Sequence, residues 1–380
     1  MQTEAAATYD LRREWIAAAL RGECPGWPVS AVGDVEGMLD VAEDEGVCAL
    51  LDETLRARAA PWTVPIAFSD GIAAIAHRQV VIELLRRGDL ARVVQALAAA
   101  DIPMLLLKGA ALAYGAYPAP CMRPRGDTDL LLRDTAAVER CKPVLAELGY
   151  AASNVPTTTV MAYELVFRRS GQGDHVHWID AHWALANNAL HARCFDFDEL
   201  AAESVALPML GEAARGLGDV HALLHACMHR VSNLPFAIGD RLVWLYDMDL
   251  LLRRLRPPDF DRLRELATQR GLAGACWDGL RATAAAFATP LPDGLLAALE
   301  QAARNERFDI RKASRRWYQE WHSLRALPSA KRGAWIREKL FPHPAYMREL
   351  HAIDNRWKLA WSYARRLGHG LAMTLRGKLR

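Results

Sequence analysis

The stretch RPRGDTDLLL, residues 123–132, constrains the fold of this chain more than any other. Three leucines in a row read as the body of a short buried strand. Two aspartates stand at its head. Side chains alternate along a strand, so Asp127 and Asp129 share one face and Thr128 takes the other. At a rise of ~3.3 Å per residue the two carboxylates lie about 7 Å apart and repel unless a positive charge sits between them. A divalent cation meets that need. Mg²⁺ takes oxygen ligands, typically one or two carboxylates together with substrate phosphates.

The flanking sequence places this strand in a small mixed α/β unit. After the breaker Asp101-Ile102-Pro103, MLLL (104–107) reads as another buried strand. Lys108-Gly109 follows, then AALAYGAY (110–117), a helix ended by Pro118 and Pro120. TAAVERCKPVLAELGY (135–150) reads as a helix closed by Gly149, with a kink or break at Pro143. YELVFRR (163–169) and HVHWIDAHW (175–183) read as strands joined by a hairpin turn in RSGQGD. In the second, Asp180 and His182 share a face. Asp180 lies in an otherwise apolar, aromatic strand, where an unpaired charge is costly. A third carboxylate from a neighbouring strand completes a two-metal site for in-line phosphoryl or nucleotidyl transfer, and Asp180 is the natural candidate. Gly109 allows close backbone approach, the helix after it offers free N–H groups to phosphate oxygens, and Lys108 adds positive charge.

The wider chain supplies context. Its 380 residues are 52% hydrophobic, enough for two or three domains. The expected division is an N-terminal helical segment (1–100), the mixed unit (101–210) and a helical, basic C-terminal domain (211–380). No apolar run approaches 18 residues, so no transmembrane helix is expected. Seven scattered cysteines without a CxxC pair, and an acidic N-terminus without signal-peptide character, lead us to expect a cytoplasmic protein with reduced thiols. Residues 301–380 carry 19 Lys and Arg against 6 Asp and Glu, and five of the twelve tryptophans. That end suggests an anionic partner such as phosphate, nucleic acid or a membrane surface, or else a basic layer packed on the acidic remainder. Walker A, GxGxxG and GxSxG motifs are absent, so P-loop, Rossmann and hydrolase-elbow chemistry have no support. His221, His225 and His229 share one helix face, either as interface histidines or with one or two turned to a ligand. Asp247 and Asp249 read as helical and so point apart, with Asp247 expected to pair with Arg241 or a histidine.

The order LLLKGAALAYGAYP (105–118), RPRGDTDLLL and IDAHW (179–183) resembles the uncharacterised nucleotidyltransferase family of the DNA-polymerase-β-like nucleotidyltransferase superfamily. HALLHACMHR, RLVWLYDMDLL and the closing FPHP…WSYARRL segment are similar to its helical parts, extending the likeness over roughly residues 75–370. The resemblance implies an α+β fold: a small mixed-sheet nucleotidyltransferase domain flanked by N-terminal helices and a C-terminal helical domain. It implies Mg²⁺, or Mn²⁺, held by Asp127, Asp129 and Asp180, with Asp180 helping to deprotonate an acceptor hydroxyl. Lys108, Gly109, Ala110, Arg123, Gly126, His182, His225 and His229 would face the nucleotide, with Arg123 reaching a phosphate or buttressing the acids. The chain departs from the wider superfamily where Ala110 replaces the usual serine, removing one hydroxyl contact to phosphate. The expected activity is transfer of NMP from an NTP such as ATP to a hydroxyl of a small molecule, peptide or protein. An RNA- or tRNA-directed toxin-like enzyme and a degenerate scaffold are the alternatives.

Overall fold

The computed structural model describes residues 2–57, 63–152, 163–171, 176–186, 188–344, 347–348 and 355–365. Four helices lead the chain: α1 (Gln2–Leu20), α2 (Val35–Asp44), α3 (Cys48–Arg56) and the long α4 (Ile66–Ala99). The strands are β1 (Met104–Leu106), β2 (Thr128–Leu132), β3 (Ala151–Ala152), β4 (Glu164–Ser170), β5 (Val176–His182), β6 (Val205–Ala206) and β7 (Arg215–Gly216). Among them run α5 (Lys108–Gly115), α6 (Thr135–Glu147) and α7 (Phe197–Ala202). Helices α8 (Asp219–Asn233), α9 (Leu242–Arg254), α10 (Pro257–Gln269) and α11 (Ala273–Phe287) follow. They lead to α12 (Leu295–Ala303), α13 (Arg316–Ala326) and α14 (Ser329–Leu340).

The sheet is mixed, in the order β3-β4-β5-β2-β1-β7-β6. The α+β class is as the sequence implied. The short strands β6 and β7 and helix α7 are additions that their length hides from any periodicity. Helix α6 runs unbroken through Pro143. Pro143 is exposed, so the carbonyl it leaves without a donor lies within reach of water. The expected hairpin turn between β4 and β5 falls partly on residues 172–175, outside the described residues. Among the described residues no helix is long and apolar enough to cross a membrane.

Strand alternation sorts the leucines into two cores. Leu105, Leu107 and Leu131 join one that contains Trp15, Ile16 and Met38 from the leading helices and Leu245, Leu251 and Leu280 from the trailing ones. Leu106, Leu130, Leu132, Ile179 and Ala181 join the other, with Leu90, Val93 and Leu97 of α4 and Val138 and Leu145 of α6. Helix α4 serves both, because Phe68, Ile72 and Ile75 at its start belong to the first core. Asp129 has the parity of Leu131, so its carboxylate projects toward the side occupied by the trailing helices.

Candidate active site

Parallel pairing of β2 with β5 sets Asp129 directly beside Asp180. Antiparallel pairing of β1 with β2 brings the end of β1 to the same place, and the Leu107 N–H donates to the Asp129 carbonyl at 3.0 Å. The next residue, Lys108, adopts φ +48°, in the left-handed region that non-glycine residues seldom enter. Its ammonium donates to Asp129 Oδ1 at 2.6 Å. His182 Nε2 lies 2.8 Å from the same oxygen, and its Nδ1 lies 3.4 Å from Glu164 Oε2. Thr128 faces the opposite side, where its hydroxyl lies 3.0 Å from His177 Nε2.

Among the described residues, Asp129, Asp180 and His182 can each offer a ligand atom, all within 4.8 Å of one another. Asp127 stands outside that group, exposed at the rim. The electrostatics of the three acids differ. Burial alone would raise Asp129, but the Lys108 ammonium and the His182 hydrogen bond outweigh it and hold the carboxyl well below the usual range. Asp127 is exposed at its outer edge, but the protein crowding its inner side, then the charge of Asp129, raises it. Burial and repulsion from Asp129, Asp127 and Glu164 push Asp180 up to about 7. No hydrogen bond or ion pair among the described residues engages the Asp180 side chain. A cluster with one compensated and two uncompensated carboxylates suits a hard divalent cation such as Mg²⁺ or Mn²⁺.

The RPRGD loop is clamped from both ends. Arg123 is buried and donates from Nε and Nη2 to the two oxygens of Asp247 at 2.7 Å each, and the Tyr117 hydroxyl adds a third bond at 2.7 Å. The expected partner of Asp247 was Arg241 or a histidine. Arg241 instead donates to the Asp44 carbonyl and lies over the Trp244 ring. Arg125 donates to both oxygens of Glu83 at 2.7 and 3.0 Å, and Arg86 donates to the Arg125 carbonyl. Gly109 also differs from expectation. A Cβ there would stand 3.2 Å from the Arg123 guanidinium, so this glycine makes room for a side chain of the protein. Neither Arg123 nor Arg125 has its fork free for a phosphate.

Two cavities meet at this point. The larger, about 510 Å³, is lined by Lys108, Gly109, Gly126, Asp127 and Asp129, with Arg86, Arg241 and Arg254 as further cations and Trp244 as an aromatic wall. The smaller, about 430 Å³, is lined by Lys108 and His182 together with residues of α8, α13 and α14. His225 and His229 line both. Burial and the nearby Lys108 push His225 well below its usual value and His229 down to about 3, so both rings are neutral. Asp180 lines neither cavity among the described residues and joins the site through Asp129. His221, on the same helix face, turns instead toward Glu199 and Glu203.

Residues 32–288 match the model of a family described as uncharacterised nucleotidyltransferase. The chain belongs to this family. No curated protein matches it. The nucleotidyltransferase match takes in the acid strands, Lys108, the RPRGD loop and Asp247, and it ends before α13 and α14 begin. Membership makes the chain a transferase that acts on a nucleoside triphosphate.

Sequence reading missed several residues of the candidate site: Glu83, Arg86, Glu164 and Trp244. Glu83 and Arg86 lie in a helix that carries no motif. Arg86 is the more telling of the two, because its Nε is buried in the wall of the larger cavity without a hydrogen-bond partner among the described residues.

Proposed function

We propose that the chain transfers NMP from an NTP to an acceptor hydroxyl in a reaction dependent on Mg²⁺ or Mn²⁺. The observation that carries this reading is the convergence of Asp129 and Asp180 across paired strands, with Asp127 beside them at the mouth of a cavity rich in cations. Asp127, Asp129 and Asp180 would hold the metal, which when bound would neutralise charge developing on the phosphate oxygens.

The residues of the chain take the following parts. Lys108 and Gly109 at the start of α5, with Gly126 in the loop, lie against the triphosphate, and Arg86 offers its Nε–H there; Ala110, expected beside them, is buried in the core with Leu106 and Leu130 and lines neither cavity. Arg123 buttresses the loop through Asp247. The acceptor oxygen bonds to the α-phosphorus as the bond to the bridging oxygen breaks. Pyrophosphate leaves with the electron pair, and the hydroxyl proton passes to Asp180. Neutral His225 and His229, with His182, shape the space around the reacting oxygen.

A second reading, with RNA as acceptor, draws on the exposed Trp317 and Trp321, one turn apart on α13, beside the exposed Arg315, Arg316, Lys331 and Arg332. Both readings are tested by supplying α-labelled NTP, Mg²⁺ and a cell extract, then fractionating the label into small molecules, protein and RNA. Asp129→Asn and Asp180→Asn should each lower transfer about a hundredfold or more with the circular dichroism spectrum unchanged. Full transfer by both variants would remove the acids from the mechanism.

A further inference from the structure

Resting on that reading, we infer that the smaller cavity is the acceptor subsite, and that it takes a small hydroxyl-bearing molecule carrying one anionic group. In-line transfer sets the attacking and leaving oxygens on opposite sides of the phosphorus. Two cavities that share Lys108, His225 and His229, and that meet beside Asp129, provide those two sides. The larger holds the cations that a triphosphate and departing pyrophosphate require. The smaller is left for the attacking hydroxyl, and its volume of about 430 Å³ is that of a small-molecule site.

Its outer wall specifies the ligand. Trp335 is 8% exposed, and its indole Nε1–H is buried without a hydrogen-bond partner among the described residues. A buried donor of that kind is costly unless a ligand oxygen accepts from it. Lys339 stands 5.3 Å from the Trp335 ring, and both Lys339 and Arg316 pair with the single carboxylate of Glu320, at 2.8 and 3.6 Å. Two cations against one anion leave one positive charge for a carboxylate or phosphate on the ligand. The rest of the lining mixes polar residues, Asn188, Ser232 and Asn233, with apolar ones, Leu185 and Phe236 among them, and Lys108 and the two neutral histidines stand toward the reaction centre. Arg316, Trp335 and Lys339 all lie beyond residue 288, outside the part of the chain that matches the family.

The test uses the full chain with Mg²⁺, each of the four α-labelled NTPs and the small-molecule ultrafiltrate of a cell extract, divided by anion exchange into neutral and anionic fractions. Label should enter the anionic fraction, and phosphatase treatment of that fraction beforehand separates a phosphate ligand from a carboxylate. Trp335→Phe, which keeps an aromatic ring and removes the N–H, and Lys339→Met should each raise the amount of that fraction needed for half-maximal labelling about tenfold. Equilibrium binding of labelled NTP with Mg²⁺ should stay as in the unaltered chain. Label appearing in the neutral fraction would overturn the inference, as would label confined to protein or RNA when the whole extract is supplied. So would unchanged half-saturation in both variants, or a matching loss of NTP binding, which would assign the cavity to the nucleotide. Absence of both NTP binding and transfer in the unaltered chain would overturn the nucleotidyl-transfer reading and this inference with it.

Discussion

Arg123, Asp247 and Gly109 form a unit in which each residue fixes the next. Asp247 takes both arms of the buried guanidinium, and Gly109 lies flat beneath it with no side chain in the way. Asp247→Ala leaves a buried charge unpaired and should cost about 3–5 kcal/mol in urea unfolding. Gly109→Ala forces a Cβ against an arginine that cannot retreat and should cost about 1–3 kcal/mol. In the double variant the freed guanidinium can move, so the two costs should sum to less than their parts. Strict additivity would show that Gly109 and Arg123 are not in strain-bearing contact. Little of this was legible in the sequence. Arg123 and Asp247 lie 124 residues apart, and no local pattern marks such a pair. Asp127, Asp129 and Asp180 were legible as candidates, because two acids at the head of a buried strand, and one inside an apolar, aromatic strand, break a local rule.

Helix α4 is the element that ties the acid-bearing sheet to the leading helices. Its first half enters one core, its second half the other, and Glu83 and Arg86 hold the RPRGD loop from between them. Val81, 47% exposed, sits at this crossing. Val81→Pro removes one helical hydrogen bond and clashes with the turn before it, and should cost about 3 kcal/mol. Val81→Ala should stay within about 0.5 kcal/mol of the unaltered chain. The proline variant should also weaken binding of labelled NTP, since it displaces Arg86. Equal urea midpoints for the two would contradict a bridging role. The helical period of residues 71–100 was plain in the sequence. What the period cannot say is that a 34-residue helix divides its apolar faces between two cores, a property of where the sheet lies.

At the scale of the molecule, buried neutral histidines set the acid limit of stability. Burial pushes His177 down to about 3 and His191 down to about 4. In the unfolded chain both titrate near the ordinary value of about 6.5. Below that pH the unfolded state binds more protons, so their contribution is complete above it and declines as pH falls toward 4. Each histidine removes up to about 1.4 kcal/mol per pH unit. Urea unfolding at pH 7 and pH 5 should show the loss, and His191→Asn should make it shallower. An identical pH slope in the variant would clear His191 of the effect. The fold class was legible at this scale because acid strands and amphipathic helices each carry their own periodicity. The pairing of two cavities was not, because α13 and α14 meet α8 only in the folded chain. Their position past residue 288 separates two decisions along the chain: were the smaller cavity the acceptor subsite proposed above, residues 316–339, outside the family match, would choose what is modified, while the acids inside the match would carry out the transfer.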